Sequence, residues 1–186
     1  MRIVAGEFSS RKIETLAGND TRPTLDKVRE AVFSSLGTYF DGGTFLDLYA
    51  GSGAVGLEAL SRGMDFCIFC EKNRDAVNII KKNIASLKVE ERSKVYPVSA
   101  GKLLHLLKDT DIRFDLVYLD PPYRQQENEK MILFLCENSM LNGDARIVIE
   151  SLKEDSYPDR IGDMIRYKSS VYGITKITYY RKEETV

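Results

Sequence analysis

The chain has 186 residues, of which 43% are hydrophobic and 30% charged, and these proportions are ordinary for one globular domain with a sizeable core. It contains no apolar run of the length that spans a bilayer and no apolar segment typical of a signal peptide, so we expect a cytoplasmic protein. The formal net charge of −1 excludes nucleic-acid binding through overall positive charge, so any such contact requires a local cluster of basic residues.

The N-terminal part of the chain predicts a small extension. Residues 2–15 are typical of two short strands that form a hairpin, and residues 16–23 of a loop. Thr24 or Asp26 is expected to cap a helix, because apolar residues recur at helical spacing from there to Gly37.

From residue 44 onward, strand and helix patterns alternate. We predict strands at 44–48, 65–70, 94–98, 114–119 and 145–150, separated by helices at 54–61, 73–87, 102–107 and 127–138. A helix at 155–162 and two closing strands at 164–171 and 174–181 are expected to follow. This alternation predicts a parallel α/β sheet, in which ligands bind at the carboxyl ends of the strands. We therefore divide the chain into an extension, 1–40, and a main domain, 41–186.

Cysteines and histidine do not predict a metal or redox site. Three cysteines form no disulfide framework, and strand alternation directs Cys67 and Cys70 to opposite faces of the second predicted strand. Since no second pair of ligands accompanies them, we expect both thiols to pack in the core. His105 is the only histidine, and we expect it to be structural or exposed, so a histidine general base is not predicted.

A glycine-rich loop follows the first strand of the main domain. Gly51, Gly53 and Gly56 match the dinucleotide-binding pattern between a strand and a helix, and Glu71 ends the next strand, where an acid can hold ribose hydroxyls. A tight strand–helix turn without a ligand also accounts for the glycines, and NAD and S-adenosylmethionine both fit the pattern.

Asp47 favours S-adenosylmethionine over NAD. This carboxylate lies at the tip of the strand before Gly51, where it would repel a pyrophosphate but suit the ammonium of an amino-acid tail. S-adenosylmethionine carries an ammonium and a sulfonium and has no phosphate. The cofactor-binding residues predicted from this segment are Asp47, Ala50, Gly51, Ser52, Gly53 and Glu71, with Asp120 contributing from the following motif.

Asp120, Pro121, Pro122 and Tyr123 follow the fourth strand and predict the catalytic loop. The prolines stiffen the backbone, so the Asp120 carboxylate and the Pro121 carbonyl become fixed acceptors for the N–H groups of an exocyclic base amine. Tyr123 offers an aromatic face on which the target base can stack. The alternative is a proline-rich turn in which Asp120 caps the next helix.

These residues leave the substrate open. The Asp-Pro-Pro-Tyr motif does not by itself select guanine over adenine, so an adenine-N6 or other amino-methyltransferase acting on DNA or another RNA remains an alternative. A DNA enzyme usually needs a separate recognition domain, for which this chain has little room. A non-catalytic NAD-binding module is the third alternative, and the intact motif at Asp120 argues against it.

The sequence resembles the bacterial 16S ribosomal RNA guanine-N2 methyltransferase family over nearly its whole length. The resemblance is carried by the segments 2–6, 11–12, 22–24, 28–30, 46–63 and 120–123. It implies a Rossmann-like class I methyltransferase fold with a mixed seven-stranded sheet, an antiparallel last strand and helices on both faces. It also implies S-adenosylmethionine as cofactor and the N2 amine of a guanine in 16S rRNA, or in the small ribosomal subunit or its assembly intermediate, as substrate. We expect a monomer without a metal or a membrane partner.

The resemblance further implies that the N-terminal extension helps to hold RNA. The candidates for phosphate contact are Arg2, Arg11, Lys12, Arg22, Arg29 and Arg124. The chain departs from the family pattern after the third strand, where relatives carry Asp or Asn against the adenine amino group. Ser99 occupies that position here, so the contact is expected from its hydroxyl or from the backbone of Ala100.

Overall fold

The computed structural model describes residues 1–17, 23–122 and 127–184, and at 23–25 it describes the backbone alone. The predicted roles of Arg22, Tyr123 and Arg124 therefore lie outside the described residues. No helix within the described part of the chain is long and apolar enough to cross a membrane.

One mixed sheet organises the chain. Its strands are β1 (Thr44–Asp47), β2 (Phe66–Cys70), β3 (Ser93–Tyr96), β4 (Phe114–Leu119), β5 (Leu141–Leu152), β6 (Arg160–Ile161), β7 (Met164–Tyr172) and β8 (Thr175–Lys182). They lie in the order β3-β2-β1-β4-β5-β8-β7-β6. Strands β1 to β5 pair in parallel, whereas β8 pairs antiparallel with β5 and β7. The carboxyl ends of the five parallel strands therefore form a single edge.

Helices cover both faces of the sheet, as the sequence predicts. They are α1 (Pro23–Leu36), α2 (Ala54–Ser61), α3 (Arg74–Leu87), α4 (Ala100–Leu107) and α5 (Asn128–Glu137). Apolar side chains of α1, α2 and α3 pack with Phe45, Phe69 and Leu116 on what we call the first face. Those of α4 and α5 pack on the second face, with Leu46 and Val117.

The expectation of core cysteines fits this arrangement. Cys67 is buried on the first face and Cys70 on the second, because successive strand residues point to opposite sides. Neither forms a disulfide. His105 lies on α4, where its Nδ1 is 2.9 Å from the Gly101 carbonyl oxygen and its ring is 4.6 Å from that of Phe134.

The predicted helix at 155–162 is wrong. Pro158 interrupts the segment, and residues 160–161 pair with β7 as the short strand β6, which raises the strand count from the expected seven to eight. A backbone hydrogen bond from the Arg166 N–H to the Asp159 carbonyl continues this pairing. Pairing with a neighbouring strand therefore decides the conformation of this segment.

The first part of the N-terminal extension, residues 1–13, is a closed loop and not a pair of strands. Its only bridge in the described part of the chain joins Arg2 and Lys12, and the Ile3 N–H donates to the Arg11 carbonyl at 3.0 Å. The Glu7 N–H donates to the Ser61 carbonyl at 2.8 Å, so the loop is anchored to the end of α2. Ile3 is buried in the same core as α2, which joins the extension to the main domain.

Glu58 of α2 connects the loop of residues 1–13 with α1 and α2. Its carboxylate accepts the Val4 N–H at 2.9 Å and the Ala5 N–H at 3.0 Å. It also pairs with the guanidinium groups of Arg29 at 3.3 Å and Arg62 at 2.8 Å, and its side chain is completely buried. Four donors thus satisfy one buried carboxylate, which makes Glu58 the centre of the contact between these elements.

We expect Glu58→Gln to destabilise the protein. The amide cannot neutralise two buried guanidinium groups, so the free energy of unfolding should fall by about 3 kcal/mol, measured by urea denaturation. The matched control is Glu14→Gln, because Glu14 forms an exposed pair with Lys82 at 3.7 Å. That change should cost less than about 1 kcal/mol. Equal losses in the two variants would contradict a special role for Glu58.

Candidate active site

Four carboxylates lie along the carboxyl edge of the sheet. Asp47, Glu71 and Asp120 stand at or just beyond the ends of β1, β2 and β4. Glu150 lies in β5, one residue after the last pair that β5 forms with β4. Strand alternation puts all four on the first face, because the residues two positions earlier, such as Phe45 and Phe69, belong to that core. The edge therefore brings four acidic side chains close together.

Asp47 lies beneath the glycine loop. Its carboxylate is 2% exposed and accepts the Gly56 N–H at 3.2 Å, at the start of α2. Burial raises the pKa of Asp47 from 3.8 to about 7, while the Gly56 hydrogen bond lowers it and the charge of Glu71 raises it further. Asp47 thus holds the loop from below, and its contact with a ligand ammonium stays a prediction.

Glu71 connects the glycine loop with the start of α3. One carboxylate oxygen accepts the Gly51 N–H at 2.9 Å, and the other accepts the Asn73 N–H at 2.8 Å. Asn73 in turn caps α3 by accepting the Asp75 N–H at 2.9 Å. Since each carboxylate oxygen can accept a second hydrogen bond, Glu71 retains the capacity to bind a pair of ribose hydroxyls.

Two glycines of the loop serve different purposes. Gly51 has φ 55°, and a Cβ there would meet no protein atom within 4 Å because the position faces the cavity. At Gly56 a Cβ would lie 2.4 Å from the Phe69 ring and 2.7 Å from the Cys67 sulfur. Gly51 therefore keeps the loop open to a ligand, whereas Gly56 lets α2 pack closely against β2.

A cavity of about 750 Å³ opens at this edge, a size typical of small-molecule sites. Seven of the predicted site residues line it: Gly51, Glu71, Ser99, Ala100, Asp120, Pro121 and Pro122. The remaining described cofactor candidates, Asp47, Ala50, Ser52 and Gly53, are not among its lining residues and support the loop instead. The Ala50 N–H donates to the Cys70 carbonyl, and the Ser52 carbonyl accepts from Asn83.

Ser99 serves as the N-cap of α4. Its hydroxyl accepts the Lys102 N–H at 3.4 Å while the residue remains exposed on the cavity wall. A long hydrogen bond of this kind leaves the hydroxyl able to act as a donor or acceptor for a ligand. The neighbouring Ala100 is buried and also lines the cavity, so both parts of the predicted adenine contact are present there.

Asp120 follows β4 and faces the cavity. Water in the cleft reaches its side chain, although protein atoms of the cleft surround it on most sides. Burial in the cleft raises the pKa of Asp120 well above its ordinary range, and the charges of Glu150 and Asp47 raise it further. Pro121 is buried and Pro122 is exposed, so this part of the loop is anchored on one side and presented to the cavity on the other.

Glu150 was not predicted from the sequence. One of its oxygens accepts the Tyr118 hydroxyl at 2.6 Å, and burial raises its pKa while this hydrogen bond lowers it. A signal was available, because Glu150 ends a predicted apolar strand in the same way as Glu71. A glutamate at a strand end does not by itself indicate a place in the site, because only the strand order shows that β5 lies beside β4.

The basic candidates of the extension lie away from the cavity wall. Arg2 donates to the Ser10 carbonyl at 2.8 Å, Arg11 donates to the Ser86 carbonyl at 2.7 Å, and Lys12 is exposed. Arg29 requires a correction, because its side chain is 5% exposed and its guanidinium is bonded to Glu58. A group held in this way is a structural residue of the core and is not available to a phosphate.

The described residues contain no cluster of three or more metal-ligating side chains at this edge or elsewhere. The titratable residues that line the cavity are Tyr49, Cys70, Glu71, Lys72, Asp120 and Glu127.

The fold and the site are those of the class I methyltransferase-like α/β proteins. Residues 1–181 match the family described as "Conserved hypothetical protein 95". The chain belongs to this family. It is 38% identical over 98% of its length to "Putative rRNA methyltransferase YlbH" of Bacillus subtilis, 99% of which is covered. It is 31% identical over 98% of its length to "Ribosomal RNA small subunit methyltransferase D" of Escherichia coli, 90% of which is covered.

A solved structure gives the same result for the fold. "Putative methyltransferase yhhF" from Escherichia coli superposes on this chain with a TM-score of 0.84 at 30% identity. The superposition covers 100% of this chain and 99% of the chain in that structure. The expected class I methyltransferase fold is therefore confirmed, with the short strand β6 as an addition to the sheet.

The raised pKa of Asp47 has a consequence for stability. The folded protein retains a proton that the unfolded chain releases above pH 3.8, so this carboxyl costs folding free energy as the pH rises from 3.8 to about 7. We expect Asp47→Asn, which keeps an acceptor for the Gly56 N–H, to raise Tm at pH 8 by about 3 °C or more. Thermal melts at pH 5 should show a smaller gain.

The control for this measurement is Asp109→Asn, at an exposed residue after α4. It should leave Tm nearly unchanged at both pH values. A lower Tm for Asp47→Asn at pH 8 would contradict the prediction, since the ionised carboxylate would then stabilise the loop more than its burial costs.

Proposed function

We propose that the protein is an S-adenosylmethionine-dependent methyltransferase that modifies the exocyclic N2 amine of a guanine in small-subunit rRNA. The observation that carries this proposal is the Asp120-Pro121-Pro122 segment at the end of β4, on the wall of a cavity that the glycine loop and Glu71 also line. Relatives named as rRNA small-subunit methyltransferases support the substrate class.

The charge of the site supports S-adenosylmethionine as the ligand. Carboxylates that raise one another's pKa favour a cationic ligand and disfavour the pyrophosphate of NAD. Glu71 would hold the ribose hydroxyls, Ser99 and Ala100 the adenine, and the acidic edge the ammonium and sulfonium. When bound, the cofactor supplies a methyl group on a positively charged sulfur, which is a good leaving group.

Asp120 and Pro121 would orient the target amine. The lone pair of an exocyclic base amine is delocalised into the ring, so the nitrogen is a poor nucleophile in its planar form. The Asp120 carboxylate and the Pro121 carbonyl can each accept one N–H of this amine, which directs the lone pair toward the cofactor. A raised pKa makes Asp120 a stronger proton acceptor than an ordinary aspartate. Tyr123 is proposed to stack on the base.

Contacts with RNA are proposed for the exposed basic residues of the extension. Arg2, Arg11 and Lys12 are anchored to the main domain through the loop that Glu58 holds, so they present positive charge on a rigid support. The corresponding proposals for Arg22 and Arg124 rest on the sequence alone. Such contacts would hold a large substrate whose target base reaches the cavity.

Methyl transfer tests the proposal directly. We expect the protein to transfer labelled methyl from S-adenosylmethionine to small-subunit particles from a strain that lacks this activity, and the label to appear in N2-methylguanosine. Asp120→Asn should lower the rate by about 10²- to 10⁴-fold, because the amide is a weak proton acceptor. Separation of the nucleosides by mass is the measurement, and Asp109→Asn is the matched control.

Two outcomes of this assay would contradict the proposal. Label in an adenine product would overturn the choice of guanine. Absence of label from small-subunit RNA, both in free form and in particles, would overturn the substrate class if the protein binds the cofactor.

Cofactor binding by itself can be measured on the free protein. We expect Glu71→Gln to raise the Kd for S-adenosylmethionine by about 10- to 100-fold, because a neutral amide replaces a charge-assisted acceptor of ribose hydroxyls. Isothermal titration calorimetry provides the measurement. The control is Glu91→Gln, at an exposed residue between α3 and β3. Binding of NAD in preference to S-adenosylmethionine would contradict the assignment of the cofactor.

A further inference from the structure

Glu150 is a second carboxylate beside the proposed catalytic aspartate. The last paired positions of β4 and β5 are Leu119 and Ile149, so the next residue of each strand, Asp120 and Glu150, stand side by side at the edge. Both lie on the first face, since Tyr118 and Val148, two residues earlier, are buried there. Adjacent strands are about 4.8 Å apart, which is close enough for strong interaction between two carboxylates.

The Tyr118 hydroxyl holds the Glu150 side chain. Tyr118 is 3% exposed, and its hydroxyl donates to a Glu150 oxygen at 2.6 Å. Glu150 forms no ion pair with a lysine or arginine in the part of the chain that the structure describes. A half-buried carboxylate with one neutral donor costs folding free energy, which suggests a role other than stability.

Burial and neighbouring carboxylates raise the pKa of Asp120, whereas at Glu150 burial is opposed by one hydrogen bond. Asp47 of β1 and Glu150 of β5 raise the pKa of Asp120, after burial, which is the largest cause. Glu150 has a pKa raised by burial, and only the hydrogen bond from Tyr118 lowers it. Two neighbouring carboxylates of this kind release their protons in two coupled steps, and the second step occurs at the higher pH.

We infer that Glu150, held by the Tyr118 hydroxyl, is a positioning residue that acts through Asp120 and makes Asp120 the acceptor of the proton that the target amine loses. This inference rests on the proposed methyl transfer. Glu150 is not among the residues that line the cavity, so we assign it no contact with the substrate. Its negative charge makes a proton on Asp120 more stable than a proton on an isolated aspartate, which at neutral pH would be too weak a base.

The proton balance of the step is complete without a further reagent. The amine nitrogen forms a bond to the methyl carbon while the carbon–sulfur bond breaks, and the sulfur keeps the bonding electrons. One N–H bond then breaks, its electron pair stays on nitrogen, and the proton passes to a carboxylate oxygen of Asp120. Asp120 releases this proton to water through the open cleft, and Glu150 is unchanged at the end.

The first test measures the pH titration of the Asp120 carboxyl group in the free protein. Carbon-13 NMR of labelled aspartate carboxyl groups, assigned with Asp120→Asn, gives the titration of Asp120 without cofactor or RNA. We expect Glu150→Gln to move the Asp120 midpoint to lower pH by about one unit or more, because it removes a neighbouring negative charge. Tyr118→Phe should move it in the same direction by less, since Glu150 would then hold its own proton to higher pH.

The second test is the pH profile of the rate of methyl transfer in single turnovers with small-subunit particles. In Glu150→Gln the acid limb of the profile should move to lower pH, and the plateau should fall by about tenfold because a weaker base accepts the proton. The Kd for S-adenosylmethionine should stay within about twofold. Glu154→Gln, at an exposed residue just after β5, is the matched control and should leave the profile unchanged.

The outcomes separate this inference from the proposed function. If wild-type protein labels no small-subunit RNA, the proposed function is overturned, and the inference with it. If wild-type protein is active and Glu150→Gln folds but leaves both the Asp120 titration and the acid limb in place, the inference alone is overturned. A changed cofactor Kd with an unmoved acid limb would also overturn it, because Glu150 would then act on the cofactor and not on Asp120.

Discussion

Glu58 is a completely buried carboxylate on which three parts of the chain depend for their relative positions. Charge-assisted hydrogen bonds from Arg29 and Arg62, together with the backbone N–H groups of Val4 and Ala5, compensate its desolvation. These bonds join α2 to α1 and to residues 4–5, and the glycine loop leads directly into α2. A buried ion cluster in the C-terminal half of α2 therefore anchors the helix whose N-terminal end adjoins the glycine loop.

The carboxylates at the carboxyl edge of the sheet differ from Glu58 in how their charge is compensated. At Glu58 the cations are adjacent, whereas burial raises the pKa of Asp47, Asp120 and Glu150, and neighbouring carboxylates raise that of Asp47 and Asp120 further. This arrangement of carboxylates costs folding free energy in the free protein, and the binding of a cationic ligand would offset that cost. The same imbalance explains why a destabilising arrangement coincides with the proposed site of methyl transfer.

Much of the fold could be predicted because its signals are local. The helix at 54–61 and the strand at 114–119 were predicted with their observed bounds, since hydrophobic period and flanking glycines determine them within a short window. Glu71 and Asp120 could be placed at strand ends for the same reason. The prediction of a helix at 155–162 is wrong because the strand pairing of this segment depends on β7. The prediction that Arg29 contacts a phosphate is wrong because its burial depends on Glu58 of another helix.

The sequence by itself determined the alternating α/β pattern, the glycine loop and the aspartate that follows β4, because each of these depends on residue types at short spacing. Only the tertiary structure decided which carboxylates become neighbours. The strand order places β5 beside β4, and this brings Glu150 and its Tyr118 partner next to Asp120. Proton affinity in the site depends on distances between charges, and those distances arise from contacts between residues far apart in the chain.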